Sequence, residues 1–185
     1  MVQYGARMHS TTFATALGDF TLVWTNAGVR RVFLPGNDST ELAERLNGLG
    51  ASIAEPTNAI AAVLDQIEDY AEGQVVDFTS VPLDLDGVAD FHRRCYAHLL
   101  TFAWGQTTTY GEVARHLGDV NLSRAVGQAM GANPIPLIIP CHRVLAAGNG
   151  AGGFSAPGGA TTKRIMLALE GVQIGAPPGQ MQFAF

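Results

Sequence analysis

Residues 108–144 read TTYGEVARHLGDVNLSRAVGQAMGANPIPLIIPCHRV, and this stretch carries the clearest structural signals in the chain. Its TYGE segment has the spacing of a capping box, in which the side chains of Thr109 and Glu112 bond each other's backbone N–H groups at a helix start. After the GDVN turn, apolar residues recur at helical spacing, namely at Leu122, Val126, Ala129 and Met130. Two short helices across a tight turn predict a helix-turn-helix.

The outer face of the second predicted helix is nearly bare. Ser123, Gly127 and Gly131 lie at i, i+4 and i+8, and Arg124 and Gln128 flank them. Each interior glycine destabilises a helix by about 1 kcal/mol relative to alanine, so this face needs a compensating gain. One explanation is close packing against another protein element. The other is close approach to a nucleic-acid groove, with Arg124 entering the base stack or replacing an extruded base.

The same stretch ends with a candidate nucleophile, Cys141, between Pro140 and the pair His142 and Arg143. A thiol attacks only as thiolate, and the neighbouring histidine and arginine offer a base and a positive charge. Adjacent residues on an extended strand point to opposite faces, so Cys141 and His142 can meet only through a turn or a bridging water. A buried cysteine beside a satisfied histidine is the ordinary alternative.

Charge is distributed unevenly along the chain. Residues 1–90 hold 4 Lys and Arg against 13 Asp and Glu, whereas residues 91–185 hold 7 against 3. The net charge of -5 therefore hides an acidic first half and a basic second half. A basic half suits a polyanionic partner, which favours the nucleic-acid explanation for the bare helix face.

Cysteine usage and hydropathy indicate the compartment. The chain has only 2 cysteines, too few for a disulfide framework or a cysteine-rich metal site. Cys95 falls on an apolar stripe with Phe91, Leu99 and Phe102, which predicts a packing residue within a helix. No leader-like start is present, and no run approaches the roughly 18 apolar residues of a membrane span. We therefore expect a soluble, cytoplasmic protein.

The acidic first half is predicted to be a small α/β layer with a structural task. Segments 20–25 and 29–35 form a hairpin, with Phe20, Leu22 and Trp24 on one face of its first strand. Two helices follow in STELAERLNGLG and TNAIAAVLDQIEDYAEG, and the chain returns to a strand in VVDFTSVPLDL. The two halves divide near residue 87.

The motifs TTTYGEVARHLG, SRAVGQAMGANPIPLIIPCHRV and KRIMLALEGV occur in this order, and with them the chain resembles the methylated-DNA–protein-cysteine methyltransferases, which repair O6-alkylguanine. The specific resemblance covers about residues 88–172. It implies a ribonuclease-H-like α/β cap over residues 1–87. It also implies a mainly helical, winged-helix-like domain with a helix-turn-helix over residues 88–185, which binds DNA, carries the catalytic residues and ends in a C-terminal tail.

The resemblance also implies roles for individual residues. Cys141 would accept the alkyl group irreversibly, and His142 would draw off the thiol proton through a water, oriented by Glu170. Tyr110 would donate a proton or hydrogen bond to the flipped base, and Arg124 would fill the gap left in the duplex. On this basis, Glu170→Gln or His142→Ala is expected to slow transfer and leave the fold largely intact.

Further implied residues contact the DNA or shape the pocket. The implied DNA contacts are Thr109, Ser123, Arg124, Gln128 and the two glycines Gly127 and Gly131. The implied pocket and hinge are Asn133, which ties the helix to the reactive segment, with Arg143, Val144, Phe154 and Ser155. Two positions depart from the family pattern, Phe154 where tyrosine is common and Gly131 where a basic residue is common. The expected partner is double-stranded DNA containing O6-alkylguanine, bound by a monomer without membrane, metal or cofactor.

Two other classes of function remain as alternatives. A non-catalytic, damage-sensing DNA-binding protein of the same fold would use every groove-facing feature, but such relatives replace the cysteine. A Cys-His hydrolase or acyltransferase would need repeated turnover and an oxyanion hole, and it would leave the bare helix face unexplained.

Overall fold

The computed structural model describes residues 7–174 and has a mixed α/β architecture. Four strands, β1 (Met8–Thr15), β2 (Gly18–Thr25), β3 (Gly28–Phe33) and β4 (Ala51–Ile53), form one sheet in the order β3-β2-β1-β4. Pairs β1–β2 and β2–β3 are antiparallel, and β4 runs parallel to β1. The predicted hairpin is confirmed as β2 and β3.

The sequence pattern does not predict β1. Its residues MHSTTFAT include 3 threonines and a serine, so the alternation of apolar and polar side chains is weak. The strand forms through its ladder with β2, which runs from His9 opposite Trp24 to Thr15 opposite Gly18. This pairing partner, and not a local pattern, makes the segment extended.

The two predicted helices of the first half are confirmed as α1 (Ser39–Leu49) and α2 (Asn58–Ala71). Asp38 caps α1 by accepting from two backbone N–H groups, and Gly50 ends it in the left-handed conformation with φ 66°. Helix α2 packs along β1 and buries one face. That face consists of Ile60, Val63, Ile67, Tyr70 and Ala71.

The strand predicted in VVDFTSVPLDL is wrong. The segment is a loop whose strand-like backbone pairing with the sheet is limited to one bridge, between Leu83 and Val29. Pro82 has no N–H to donate to a ladder, and its carbonyl instead accepts from the Val29 N–H at 2.8 Å. Phe78 and Val81 are nevertheless buried, so the apolar pattern here reflects core contacts of a loop.

The α-helices of the second half, within the described residues, are α3 (Asp90–Leu99), α4 (Tyr110–His116), α5 (Ser123–Gly131) and α6 (Ala160–Leu169). The first three are the helices that the sequence predicts. The capping box at the start of α4 is confirmed, because both reciprocal hydrogen bonds between Thr109 and Glu112 are present. None of the helices within residues 7–174 has the length and apolar character needed to span a bilayer.

A short parallel pair of strands, β5 (Thr108–Thr109) and β6 (Val144–Leu145), holds the start of α4 beside the chain that follows Cys141. The hydrophobic core runs without interruption from the sheet to α3, α4 and α5. Cys95 is fully buried in this core, which confirms its prediction as a packing residue. Burial raises the pKa of the Cys95 thiol to about 11.

Candidate active site

Cys141 lies in a single 3-10 turn, Cys141–Arg143, that leads directly into β6. The preceding chain folds back on itself, with Ile139 N donating to Ile135 O at 2.9 Å and Leu137 in the left-handed conformation at φ 77°. A non-glycine residue with positive φ is strained, and here complete burial of the Leu137 side chain holds it in place. The turn removes the constraint that an extended strand would put on Cys141 and His142.

Asn133 fastens this segment to the end of α5. Its Nδ2 donates to the Ile139 carbonyl at 2.9 Å, and its Oδ1 accepts from the Ile135 N–H at 3.0 Å. Both ends of the tight turn that leads to Cys141 are therefore held by one side chain. These are backbone hydrogen bonds of the kind that the family resemblance implies for Asn133.

His142 and Glu170 form a buried pair behind the turn. His142 Nε2 lies 2.7 Å from Glu170 Oε1, and both side chains are completely buried. An ionised carboxylate can only accept, so Nε2 carries the proton and Nδ1 keeps its lone pair. His142 Nδ1 is the one buried side-chain nitrogen or oxygen without a hydrogen-bond partner in the described part of the chain. The free lone pair makes His142 a candidate base.

Arg143 binds the other side of the same carboxylate. Its Nε donates to Glu170 Oε2 at 2.8 Å, its Nη2 donates to Oε1 at 3.1 Å, and its Nη1 donates to the Phe102 carbonyl at 2.6 Å. The Gly105 N–H adds a further hydrogen bond to Oε2 at 3.2 Å. Arg143 therefore neutralises the buried carboxylate, and its side chain does not line the cavity beside Cys141.

The pKa values follow from this network. Burial alone raises the pKa of Glu170, but the hydrogen bonds and charges of His142 and Arg143 outweigh burial and hold it at about 2. Burial lowers the pKa of His142 against the opposing effect of Glu170. Burial raises the pKa of Cys141, and Asn133 and Lys163 offset this only in part. The resting site thus holds a neutral thiol, a neutral imidazole and a carboxylate.

A cavity of about 290 Å³ opens beside Cys141. It is lined by Tyr110, Gly127, Met130, Gly131, Cys141, Gly153, Phe154 and Ser155. The structure thus brings Tyr110, Phe154, Ser155 and the glycines of α5 together with Cys141. Val144 is buried next to the turn and is not among the lining residues. The Tyr110 hydroxyl donates to the Gly153 carbonyl at 3.3 Å, and Ser155 Oγ donates to the Gly131 carbonyl at 3.1 Å.

Neither glycine on the bare face of α5 packs closely against another element of the described chain. A Cβ added at Gly131 would meet nothing within 4 Å, and one added at Gly127 would meet only the Tyr110 ring at 4.0 Å. Packing against another element therefore fails as the explanation for these glycines. Arg124 and Gln128 are exposed on the same helix, whereas Ser123 bonds the Val120 carbonyl at 2.6 Å.

Lys163 is a site residue that the sequence analysis misses. It is fully buried on α6, and its Nζ donates to the Val144 carbonyl at 2.5 Å and to the Gly153 carbonyl at 3.4 Å. Burial lowers the pKa of Lys163 to about 8, against the opposing effect of a charged Cys141. A signal was present, because Lys163 lies at i on the buried face that continues through Met166, Leu167 and Glu170 at i+3, i+4 and i+7.

We expect Lys163→Met to raise the pKa of the Cys141 thiol, because the Lys163 charge stabilises the thiolate. Alkylation of Cys141 at neutral pH should slow about tenfold, as about 1.4 kcal/mol of lost stabilisation would give. The pH dependence of iodoacetamide labelling, followed by protein mass, measures the change. Arg164→Met is the matched control, because Arg164 is the exposed neighbour on the same helix. Equal profiles in the two variants would contradict the expectation.

Within residues 7–174, no three His, Cys, Asp or Glu side chains lie close enough together to hold a metal ion. The site instead combines the Cys141 thiol, which lines the cavity, with the buried imidazole of His142 and the buried carboxylate of Glu170. This set can carry out nucleophilic attack by sulfur with proton removal by the imidazole.

Comparison with known proteins places the site in a family. A family model for the 6-O-methylguanine DNA methyltransferase DNA-binding domain matches residues 90–172. A methylated-DNA–protein-cysteine methyltransferase of Mycobacterium tuberculosis is 43% identical over 112 residues, which are 60% of this chain and 66%, just under two thirds, of that protein. A protein of the same name from Methanosarcina acetivorans is 32% identical over 165 residues, 89% of this chain and 99% of that protein.

The fold agrees with these sequence matches. The crystal structure of Mycobacterium tuberculosis OGT in complex with DNA superposes with a TM-score of 0.73 at 33% identity, over 88% of this chain and 92% of that chain. The Methanosarcina acetivorans relative and the structural neighbour thus extend beyond the matched DNA-binding domain to the sheet of the first half. The chain belongs to the methylated-DNA–protein-cysteine methyltransferase family.

Proposed function

We propose that this protein repairs DNA by transferring the alkyl group of an O6-alkylguanine to Cys141, once per molecule. The observation that carries the proposal is the position of Cys141 at a small cavity, with a histidine of free Nδ1 and an ionised Glu170 beside it. Family membership supplies the substrate class. In the reaction, a bond forms between Sγ and the alkyl carbon while the bond from that carbon to O6 breaks.

Proton movement completes the reaction. The thiol proton of Cys141 passes through a water to Nδ1 of His142, and Glu170 stabilises the imidazolium that forms. Tyr110 donates a proton or hydrogen bond to the departing guanine. Burial, followed by the charge of Cys141, raises the pKa of Tyr110, so the hydroxyl keeps its proton for donation. In the net reaction, the thiol hydrogen ends on the guanine and a thioether remains on Cys141.

DNA would approach along the bare face of α5. A guanine inside a duplex must be turned out to reach a cavity, at a cost of a few kcal/mol. Exposed Arg124 would fill the gap, and Gly127 and Gly131 would let the groove come close to the backbone. The proposed further DNA contacts are Thr109, which caps the start of α4, and Ser123 and Gln128 on α5. The pair α4 and α5 would then act as a helix-turn-helix.

From the same family membership we infer the domain type of each half of the chain. Residues 1–87 would form a ribonuclease-H-like cap, for which the mixed sheet with its two packed helices is the support. Residues 88–185 would form a winged-helix-like DNA-binding and catalytic domain, although the tail beyond residue 174 lies outside the described residues. The protein would act as a monomer in the cytoplasm, where Cys141 stays reduced. Double-stranded DNA containing O6-alkylguanine would be its substrate.

Arg124→Ala is expected to slow repair of methylated duplex DNA by about tenfold or more, because an unfilled gap leaves the unstacking cost uncompensated. Reaction with free O6-alkylguanine base should change little, since that substrate needs no base flipping. Single-turnover rates on both substrates measure the difference. Arg124→Lys keeps the charge and separates phosphate attraction from the wedge.

Two outcomes would contradict these proposals. If Arg124→Ala slows the reaction equally on duplex DNA and on free base, Arg124 does not fill the gap in the duplex. If the wild-type protein takes no alkyl group from either substrate, the proposed function is rejected. Affinity for duplex DNA should also fall steeply with salt, because phosphate contacts release counterions.

A further inference from the structure

Tyr70 connects the first half of the chain to the His142 and Glu170 pair. It lies on α2, in the half for which the sequence predicts only a structural task, and it is 1% exposed. Its hydroxyl lies 3.2 Å from Glu170 Oε1, the same oxygen that holds His142 Nε2 at 2.7 Å. A residue of the cap therefore contacts the carboxylate oxygen on which the orientation of the candidate base depends.

The ring of Tyr70 contacts the base as well. Its centroid lies 6.4 Å from that of the His142 ring, with the planes at 72°, an edge-on arrangement. The Trp104 ring packs against Tyr70 from another side, at 5.3 Å and 67°. With both ring contacts in place, Tyr70 cannot move without disturbing the imidazole.

The direction of the Tyr70 hydrogen bond is fixed by chemistry. The hydroxyl has one proton and two acceptors within reach, Glu170 Oε1 and the Met166 carbonyl at 3.3 Å. An ionised carboxylate is the stronger acceptor, so the proton points to Glu170. Burial and the neighbouring charge of Glu170 raise the pKa of Tyr70, and the phenol remains a donor at every working pH.

We propose that Tyr70 is a positioning residue for alkyl transfer, donating to Glu170 Oε1 and so setting the orientation and basicity of His142. This inference rests on the proposed function. The Tyr70 hydroxyl takes a share of the negative charge on Oε1, the oxygen that faces His142. Without the hydroxyl, Glu170 would hold an imidazolium more strongly.

Tyr70→Phe removes this one hydroxyl and keeps both ring contacts. The rate constant of transfer to Cys141 should fall about tenfold, the size expected for one hydrogen bond to a charged group. The acid limb of its pH profile should move to higher pH, because His142 then keeps a proton more readily. Affinity for undamaged duplex DNA should not change. Quenched single-turnover reactions of the full chain with methylated duplex DNA, run from acid to alkaline pH, give both the rate constant and the position of the acid limb.

Tyr96→Phe is the matched control. Tyr96 is also fully buried, and its hydroxyl donates to the Ala129 carbonyl at 2.8 Å instead of to Glu170. The two variants lose the same chemical group from the core, so similar losses of stability are expected from urea unfolding. A shift of the acid limb in Tyr70→Phe alone supports the positioning role.

A second variant tests the proposal even if Tyr70→Phe fails to fold. With 3-fluorotyrosine at position 70, the phenol is a stronger donor, and the acid limb should move to lower pH. The proposal is overturned if neither substitution moves the pH profile relative to Tyr96→Phe. Wild-type transfer is measured in the same series. Its absence would reject the proposed function, whereas wild-type transfer with unmoved variant profiles would reject only the role of Tyr70.

Discussion

Cys141→Ser is expected to abolish alkyl transfer completely, and the wild-type protein is expected to stop after one alkyl group per chain. A serine hydroxyl is not ionised at neutral pH, so the variant has no nucleophile to attack the alkyl carbon. In the wild type, the product thioether is stable. Cys95, the remaining cysteine, is fully buried on α3 and cannot remove the alkyl group.

To test this, the protein is incubated with an excess of duplex DNA containing O6-methylguanine. The amount of restored guanine and the protein mass are then measured in the same samples. Restored guanines should never outnumber protein molecules, and the label should lie on the peptide containing Cys141. Cys95→Ser is the control and should react to full stoichiometry. Sustained turnover would favour the hydrolase or acyltransferase alternative. DNA binding without any mass change in the wild type would favour the damage-sensing alternative.

Glu170→Gln is expected to lower the free energy of unfolding by about 3–5 kcal/mol, the usual effect of removing one partner from a buried ion pair. Arg143 would be left buried without a counter-charge, and the new amide would direct N–H groups at existing donors. His142 would also lose the acceptor that fixes its tautomer, so transfer should slow strongly. This result differs from the sequence-based expectation that the fold survives Glu170→Gln largely intact.

The pH dependence of stability separates this effect from simple loss of packing. The pKa of Glu170 is about 2 in the folded protein, against an ordinary 4.5. The stabilisation is therefore complete above about pH 4.5 and is lost as the pH falls towards 2, an effect of about 3 kcal/mol in all. Urea unfolding between pH 7 and pH 3 should show this loss in the wild type and not in Glu170→Gln. Glu44→Gln, which alters an exposed carboxylate on α1, should retain the wild-type slope; the same slope in Glu170→Gln would reject the assignment.

The helices could be predicted from the sequence because their signals are local. The capping box at Thr109 and the apolar stripes of α2 and α5 depend on residues a few positions apart. Strand β1 was not predictable in this way, since its extended form depends on a ladder to β2. The error at residues 75–85 has a related cause, because an apolar run with Pro82 can pack into a core without pairing.

The residues of the candidate site also fall into two groups, those that local sequence signals identify and those that only long-range contacts reveal. Cys141 and His142 are adjacent in the sequence, and the motif around Glu170 resembles that of a known family. From the sequence, Tyr70 has no role beyond its place in a predicted helix and Lys163 has no role, because their importance comes from contacts with distant parts of the chain. The bond from Tyr70 to Glu170 joins residues 100 positions apart, which no periodic pattern reports.

The span of this network has a consequence for synthesis on the ribosome. The groups that act on Cys141 come from α2, from the turn at Cys141 itself and from the end of α6. A nascent chain that has exposed Cys141 still lacks Glu170, and its thiol has neither an oriented base nor a cavity. Under the proposed function, reactivity towards alkylated DNA would therefore appear only after α6 has left the exit tunnel and docked, and an unfinished chain would not be alkylated.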